Sequence, residues 1–207
     1  MANIENGTKE KNKNQLSDAQ SAAPKVNVRV VFVLIVAAAF LDIVDFSIIQ
    51  IALPTIRNEL VVSLPESQWI VGAYGLTLAG FLLLSGRAGD IYGQKKLFVL
   101  GVALFTISSL IGGLAPNFLF LVASRAIQGI GAAISTVTAL AIFATIFPEG
   151  NERNKALGIL VAILSAGFAA GSITGGVLTA ALGWRSVMFV NVPIGIVTVF
   201  FSLKYLR

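Results

Sequence analysis

The chain has 207 residues, 56% of them hydrophobic and only 12% charged, with a net charge of +5 and a mean hydropathy of +0.86. A soluble domain carries about 25% charged residues, so the deficit excludes an ordinary soluble globule and points to a polytopic membrane protein. Cysteine and histidine are both absent, which excludes disulfides and thiolate metal centres and removes the commonest metal ligand and the near-neutral proton switch.

Residues 1–27 are polar and rich in Asn, Lys, Ser and Gln. They read as a disordered tail. A cleavable signal is not expected, because the apolar run that follows is longer than a signal core and lacks an Ala-x-Ala exit. Residues 28–207 hold six apolar blocks, with spans expected at about 29–53, 68–86, 97–115, 118–147, 156–182 and 186–204. Each is close to the ~20 residues that a helix needs to cross the hydrocarbon. The third and fourth are separated at Ala115-Pro116-Asn117, a turn signal. No alternating pattern argues for a barrel, so the expected class is an all-α bundle of six transmembrane helices.

The basic residues set the expected orientation. With the N-terminus cytoplasmic, twelve of the fifteen Lys and Arg fall on the inner side. Only Arg57 and Arg185 fall outside, and Arg125 lies within a span. Both termini are then cytoplasmic. The positive charge is topology rather than a nucleic-acid surface, since no basic stripe lies away from the membrane flanks.

Four groups of residues carry the candidate chemistry. Asp42 and Asp45 interrupt the first span, and Arg125 lies in the fourth. A charged side chain at bilayer depth costs roughly 2.5–3.5 kcal/mol on insertion scales, so such residues face a protein interior or a wet cavity. Asp42 sits roughly 18 Å from the inner edge and Arg125 roughly 11 Å from the outer edge, at 1.5 Å per residue. In a core about 30 Å thick those depths nearly coincide. One of the acids and Arg125 are therefore expected to share a buried polar network. That network is either a proton-exchanging site or a static ion pair holding two helices together. Gln128, one helical turn beyond Arg125, is a candidate to line the same cavity, followed by the small residues Gly129 and Gly131.

The connection from Gly86 to Lys96 reads as a short, glycine-punctuated basic loop. Asp90 is placed at the start of the following helix, where the helix dipole favours its charge. In the fifth span, Gly167, Gly171 and Gly175 recur every four residues, with Gly176 adjacent. They line one helix face that admits close backbone approach, either as static packing or as a gate. Such a face is unusual against lipid and would suit a partner.

These segments resemble the N-terminal half of a major facilitator superfamily transporter, and within it the fourteen-helix drug:proton antiporters. Gly86, Asp90, Gly93 and Lys95 match the superfamily's motif A, with Ala88, Ile91 and Gln94 departing from it. Arg125, Gln128, Gly129, Gly131, Ala132 and Ala133 match motif B, whose arginine is implicated in proton coupling. The fifth-span glycines resemble the antiporter motif C, with Ser172 where a proline is usual. Asp45 to Pro54 resembles the family's first-helix motif, with Ser47 and Gln50 substituted. Residues 183–185 and 191–195 resemble its sixth-helix segment.

The resemblance implies proton-coupled export of hydrophobic or cationic small molecules across the plasma (inner) membrane. Asp42, Asp45, Gln50, Arg125 and Gln128 would lie on the proton or substrate pathway. Asp90 and Lys95 would organise an inner gate. No cofactor and no metal are expected. The family is about twice this length, built of two parallel six-helix halves. The chain is therefore expected to be a fragment or truncated product, to pair with a separate C-terminal half, or to form a homodimer. The alternative is a non-transporting fragment or an assembly or regulatory subunit of a larger transporter. An enzyme is not expected: His and Cys are lacking, and no Ser lies in a nucleophile-elbow context.

Overall fold

The structure is a computed structural model that describes residues 27–206. The polar tail expected over 1–27 lies outside the described residues except for Asn27. Among the described residues every regular element is helical: α1 Val28–Leu60, α2 Leu64–Tyr92, α3 Gln94–Gly113, α4 Phe118–Ile146, α5 Asn151–Leu182, α6 Arg185–Phe189 and α7 Asn191–Tyr205. Six segments are long and apolar enough to cross a membrane, with α6 and α7 together forming the sixth. The all-α, six-span expectation holds.

Several helices run past the spans read from the sequence. The first span is expected to end at about residue 53, yet α1 continues through Pro54 to Leu60. The proline deprives only the Gln50 carbonyl of its intrahelical donor, and the helix resumes beyond it. α1 then closes on Val61, a β-branched residue at φ 53, with the Val61 and Val62 N–H groups donating to the Arg57 carbonyl. α2 opens on a capping box: the Glu66 N–H donates to Ser63 Oγ, and the Glu66 carboxylate accepts from the Ser63 N–H at 2.8 Å. The turn expected at 115–117 is present, and Asn117 caps α4 by accepting from the Phe120 N–H at 2.9 Å. The sixth span breaks between α6 and α7 because Pro193 offers no N–H to the Phe189 carbonyl. Val190, at the break, keeps helical dihedrals, so the chain direction barely changes.

The stretch from Gly86 to Lys96 is not the loop that the sequence suggests. α2 runs through Tyr92 and α3 begins at Gln94, leaving only Gly93 between them, at φ 94. Asp90 therefore lies in the last turn of α2, not at the start of the next helix. There the dipole of its own helix disfavours its charge. Gln94 Nε2, which donates to Asp90 Oδ1 at 3.0 Å, offsets that.

α4 packs against α2 and α3, α5 chiefly against α1, and α7 against α3 and α1. Small residues set these approaches. A Cβ on Gly131 would lie 2.6 Å from the Phe105 backbone nitrogen, and one on Gly101 2.9 Å from the Gly131 carbonyl, so α3 and α4 touch backbone to backbone. Gly129 abuts the Tyr74 carbonyl of α2 in the same way. Thr77 Oγ1, also on α2, donates to the Ala126 carbonyl at 2.8 Å.

The apolar core falls into two large clusters and a thin middle one. Val31, Leu34, Phe98 and Phe143 belong to the cluster at the N-terminal end of α1. Ile48, Ile49, Leu121, Trp184 and Met188 belong to the cluster at its far end. The middle holds only Leu41, Tyr74, Phe105 and Ala132. Polar side chains occupy the rest of that layer.

Candidate functional site

At mid-depth four helices each contribute a buried polar side chain. Asp45 of α1, Arg125 and Gln128 of α4, and Asn191 of α7 are all fully buried, with Ser109 of α3 beside them. Arg125 Nη1 meets Asp45 Oδ2 at 2.6 Å and also donates to Gln128 Oε1 at 2.8 Å. Gln128 Nε2 donates to Asp45 Oδ1 at 2.9 Å, and Asn191 Nδ2 donates to the same oxygen at 2.6 Å. Asn191 Nδ2 also reaches Ser109 Oγ at 3.1 Å, and that hydroxyl donates to the Met188 carbonyl at 2.8 Å. Arg125 Nε donates to the Ile70 carbonyl at 3.3 Å, and its guanidinium sits 4.5 Å over the Tyr74 ring. Two atoms of the cluster, Arg125 Nη2 and Asn191 Oδ1, are buried without a hydrogen-bond partner.

The arrangement follows from helix geometry. Arg125 and Gln128 are three residues apart and so share one face of α4. Asn191 opens α7 just past the break, which turns its amide inward. A carboxylate that accepts three hydrogen bonds, one from a guanidinium, offsets much of its desolvation. Truncating either member of the pair would leave the other charge buried and uncompensated.

Asp42 stands one turn before Asp45 but outside this network. It is only partly buried, and its Oδ2 accepts one hydrogen bond, from Thr136 Oγ1 of α4 at 3.0 Å. It lines an open cleft of about 330 Å³ walled by α1, α2, α4 and α5. Of the two acids, therefore, Asp45 is the one that joins Arg125. Gln50 is exposed on α1 and takes no part in the network. Among the inner-loop residues, Gly93 serves the tight α2–α3 junction, while Asp90 and Lys95 are exposed beside it. Gly86 would place a Cβ at an ordinary 3.5 Å from Val137. The tight position in that segment is Gly89, whose Cβ would lie 2.7 Å from Gln94 Cδ.

The fifth-span glycines do lie on one close-packed face, but that face is already covered. Cβ atoms on Gly167 and Gly175 would lie 2.8 Å from the Phe40 ring and 3.1 Å from Ile48 Cα, and one on Gly171 would lie 3.1 Å from the Val44 carbonyl. All three contacts are with α1, so the stripe is not an outward surface awaiting a partner. Gly176 stays at an ordinary 3.9 Å from Ile51. The sequence reading missed Asn191, Ser109, Thr136 and Tyr74 as neighbours of the acids. Their signal was a polar atom inside an apolar span, but such residues are numerous here and most serve only their own helix. Thr198 Oγ1, for example, donates to the Ile194 carbonyl one turn earlier.

The chain is similar to several known proteins. The Cephamycin export protein CmcT of Amycolatopsis lactamdurans is 45% identical over 84% of this chain and 36% of its own length. The Puromycin resistance protein pur8 of Streptomyces alboniger is 40% identical over 79% of this chain and 33% of its own length. The Riboflavin transporter RibZ of Clostridioides difficile is 37% identical over 86% and 39%. The chain thus spans well under half the length of these relatives. Among solved structures, an inward-facing, unoccupied bacterial homologue of the human lysosomal transporter Spinster superposes with a TM-score of 0.67 at 22% identity. It covers 88% of this chain and 43% of the other. The sequence model of the Major Facilitator Superfamily matches residues 35–207. With six membrane-crossing helices, an acid–base network at their centre and that match, this chain is a multi-pass membrane protein that belongs to the major facilitator superfamily, a family of transporters rather than enzymes.

Proposed function

We propose that the chain acts as the N-terminal half of a proton-coupled exporter of hydrophobic or cationic small molecules, of the drug:proton antiporter type. It would lie in the plasma (inner) membrane with both termini cytoplasmic. The observation that carries this reading is the pair of intramembrane acids in unlike settings. Asp45 is locked to Arg125, Gln128 and Asn191 in the bundle interior, while Asp42 lines a cleft four helices wide. Intramembrane acids of this kind mark ion and substrate pathways. Relatives that include a cephamycin export protein and a puromycin resistance protein favour export of organic molecules.

The transport path needs a second six-helix unit. That unit is the remainder of a longer polypeptide, a separately encoded half, or a second copy in the same orientation, as a parallel-repeat architecture permits. The mass of the purified complex in detergent separates the last case from the others. The alternative reading is a non-transporting assembly or regulatory subunit of a larger transporter.

The test is reconstitution of the purified protein into liposomes with an imposed pH gradient. Uptake of ethidium that collapses with a proton ionophore is the expected result. Absence of gradient-dependent uptake, together with tight binding to a full-length homologue, would overturn the transporter reading in favour of the subunit.

A further inference from the structure

We propose that the groove between the N-terminal half of α1 and the C-terminal half of α7 is a binding site for an anionic phospholipid. An acyl chain would lie against its apolar walls, with the phosphate against Arg29 and Lys204. The groove shares no lining residue with the Asp42 cleft or the Asp45 network, and the binding does not depend on the export reading.

Helix periodicity builds the two walls. On α1, Arg29, Val33 and Ala37 recur every four residues and so share one face. On α7, Val197, Phe201 and Lys204 stand four and three residues apart and share a face for the same reason. Between the helices lies an apolar recess of about 440 Å³, lined by Val33, Ala37, Val197, Phe201 and Tyr205 among others, with Arg29 at its end. Its walls are open to the surroundings: Val33 is 62% exposed and Val197 54%. The Phe201 and Tyr205 rings stack with centroids 6.0 Å apart and planes within 10°, which stiffens the α7 wall.

The depth of the groove suits one leaflet. From Arg29 to Phe40, where a second cleft takes over along α1, is roughly 17 Å at 1.5 Å per residue. That is close to half of a hydrocarbon core about 30 Å thick. Tyr205 marks the outer end, since amphipathic aromatic rings sit at headgroup level. Arg29 and Lys204 flank the same end, so the cations lie at the height of a lipid phosphate.

The charges there are unanswered. Neither Arg29 nor Lys204 has a carboxylate partner among the described residues, unlike Arg125, Arg153 and Arg185. Lys204 Nζ has only the Tyr205 ring, 5.4 Å from its centroid. Two unpaired cations at one end of an apolar groove require an amphiphile with its negative charge at that end.

That pattern selects the occupant. A free inorganic anion would meet the cations and leave the apolar walls uncovered. A zwitterionic lipid would cover the walls but bring its own cation to the rim. An extended peptide would leave backbone groups unsatisfied in hydrocarbon, and a helix about 10 Å across is too wide for this volume over that length. The orientation proposed above places the basic end in the cytoplasmic leaflet, where anionic lipids attract juxtamembrane Lys and Arg.

The experiment is native mass spectrometry of the purified, detergent-solubilised chain titrated with dioleoyl phosphatidylglycerol and, separately, dioleoyl phosphatidylcholine. One phosphatidylglycerol is expected to be retained in preference to phosphatidylcholine. Arg29→Gln and Lys204→Gln should each weaken its retention about fivefold, and the pair about 25-fold, as expected for basic side chains near an anionic headgroup. Ala37→Phe fills the groove with both cations in place. It should abolish the preference while the helical circular dichroism stays unchanged, a result that cations serving topology alone would not give. Equal retention of the two lipids, or full retention by Ala37→Phe, overturns the proposal. So does displacement of the lipid by inorganic phosphate at millimolar concentration, which would make the site one for a free anion. Dimers that dissociate in Ala37→Phe, with no phosphatidylglycerol retained, would overturn it in favour of a second copy of the chain. None of these outcomes bears on gradient-driven uptake, so this site and the export reading stand or fall separately.

Discussion

The Asp45–Arg125 pair makes a sharp energetic prediction. Asp45→Asn keeps the side-chain shape but removes the charge. It leaves Arg125 fully buried, with only neutral partners to receive it: the new amide oxygen, the Gln128 and Ile70 oxygens and the Tyr74 ring. Side-chain hydrogen bonds between membrane helices average about 0.6 kcal/mol. The three that Asp45 accepts therefore account for about 2 kcal/mol on that average. Orphaning a buried charge is larger, and breaking such a pair from one side costs about 3–5 kcal/mol in total. Arg125→Met should cost a similar amount, by leaving the carboxylate unpaired.

The double variant should not cost the sum. With both charges gone the penalty largely disappears, so the double variant should fall short of the sum by more than about 3 kcal/mol, beyond the usual range for contacting residues. The assay is reversible unfolding in mixed detergent micelles followed by fluorescence of Trp69 and Trp184, with all four proteins of the cycle measured together. Additive effects, or single variants within about 0.5 kcal/mol of the unaltered protein, would refute the claim that this pair is a desolvated, mutually dependent unit.

Three further outcomes follow from local geometry. Gly131→Ala should destabilise despite alanine's better helix propensity, because the new methyl would sit 2.6 Å from the Phe105 backbone nitrogen, whereas Gly80→Ala, with nothing within 4 Å, should gain up to about 1 kcal/mol. The contrast is read in the same unfolding assay, and equal effects would contradict the backbone contact between α3 and α4. Val61→Gly should stabilise by about 1 kcal/mol, since an L-residue in the left-handed region carries a penalty of roughly that size and Val61 is 88% exposed, with little packing to lose. Ser63→Ala should cost about 1 kcal/mol and raise hydrogen exchange at the first amides of α2, because it removes the hydroxyl half of the capping box.

The class of this protein and the vertical order of its residues were legible in the chain alone. Hydrocarbon cannot satisfy open backbone groups, so six apolar blocks of sufficient length imply six helices. The scarcity of charge inside them makes each exception conspicuous, which is why Asp42, Asp45 and Arg125 were legible without a structure. Depth along a helix scales with residue number, so the meeting of an acid with Arg125 could be foreseen.

What the sequence left open was rotation about the helix axes and the partners across them. Asp42 and Asp45 are only about 60° apart around α1, since three residues at 100° each nearly complete a turn, and only packing showed that Asp45 turns to Arg125 while Asp42 faces the cleft. Asn191 and Ser109 joined the site across gaps of more than eighty residues, a proximity that no local pattern encodes. The Gly167–Gly171–Gly175 face was visible as a stripe, but that it closes on α1 depends on which helix the bundle brings beside it. Glycine and proline misled the reading of helix ends for a related reason. Inside a packed bundle, neighbouring helices hold a chain helical through Pro54 and up to Gly93, where local propensity alone would have stopped it.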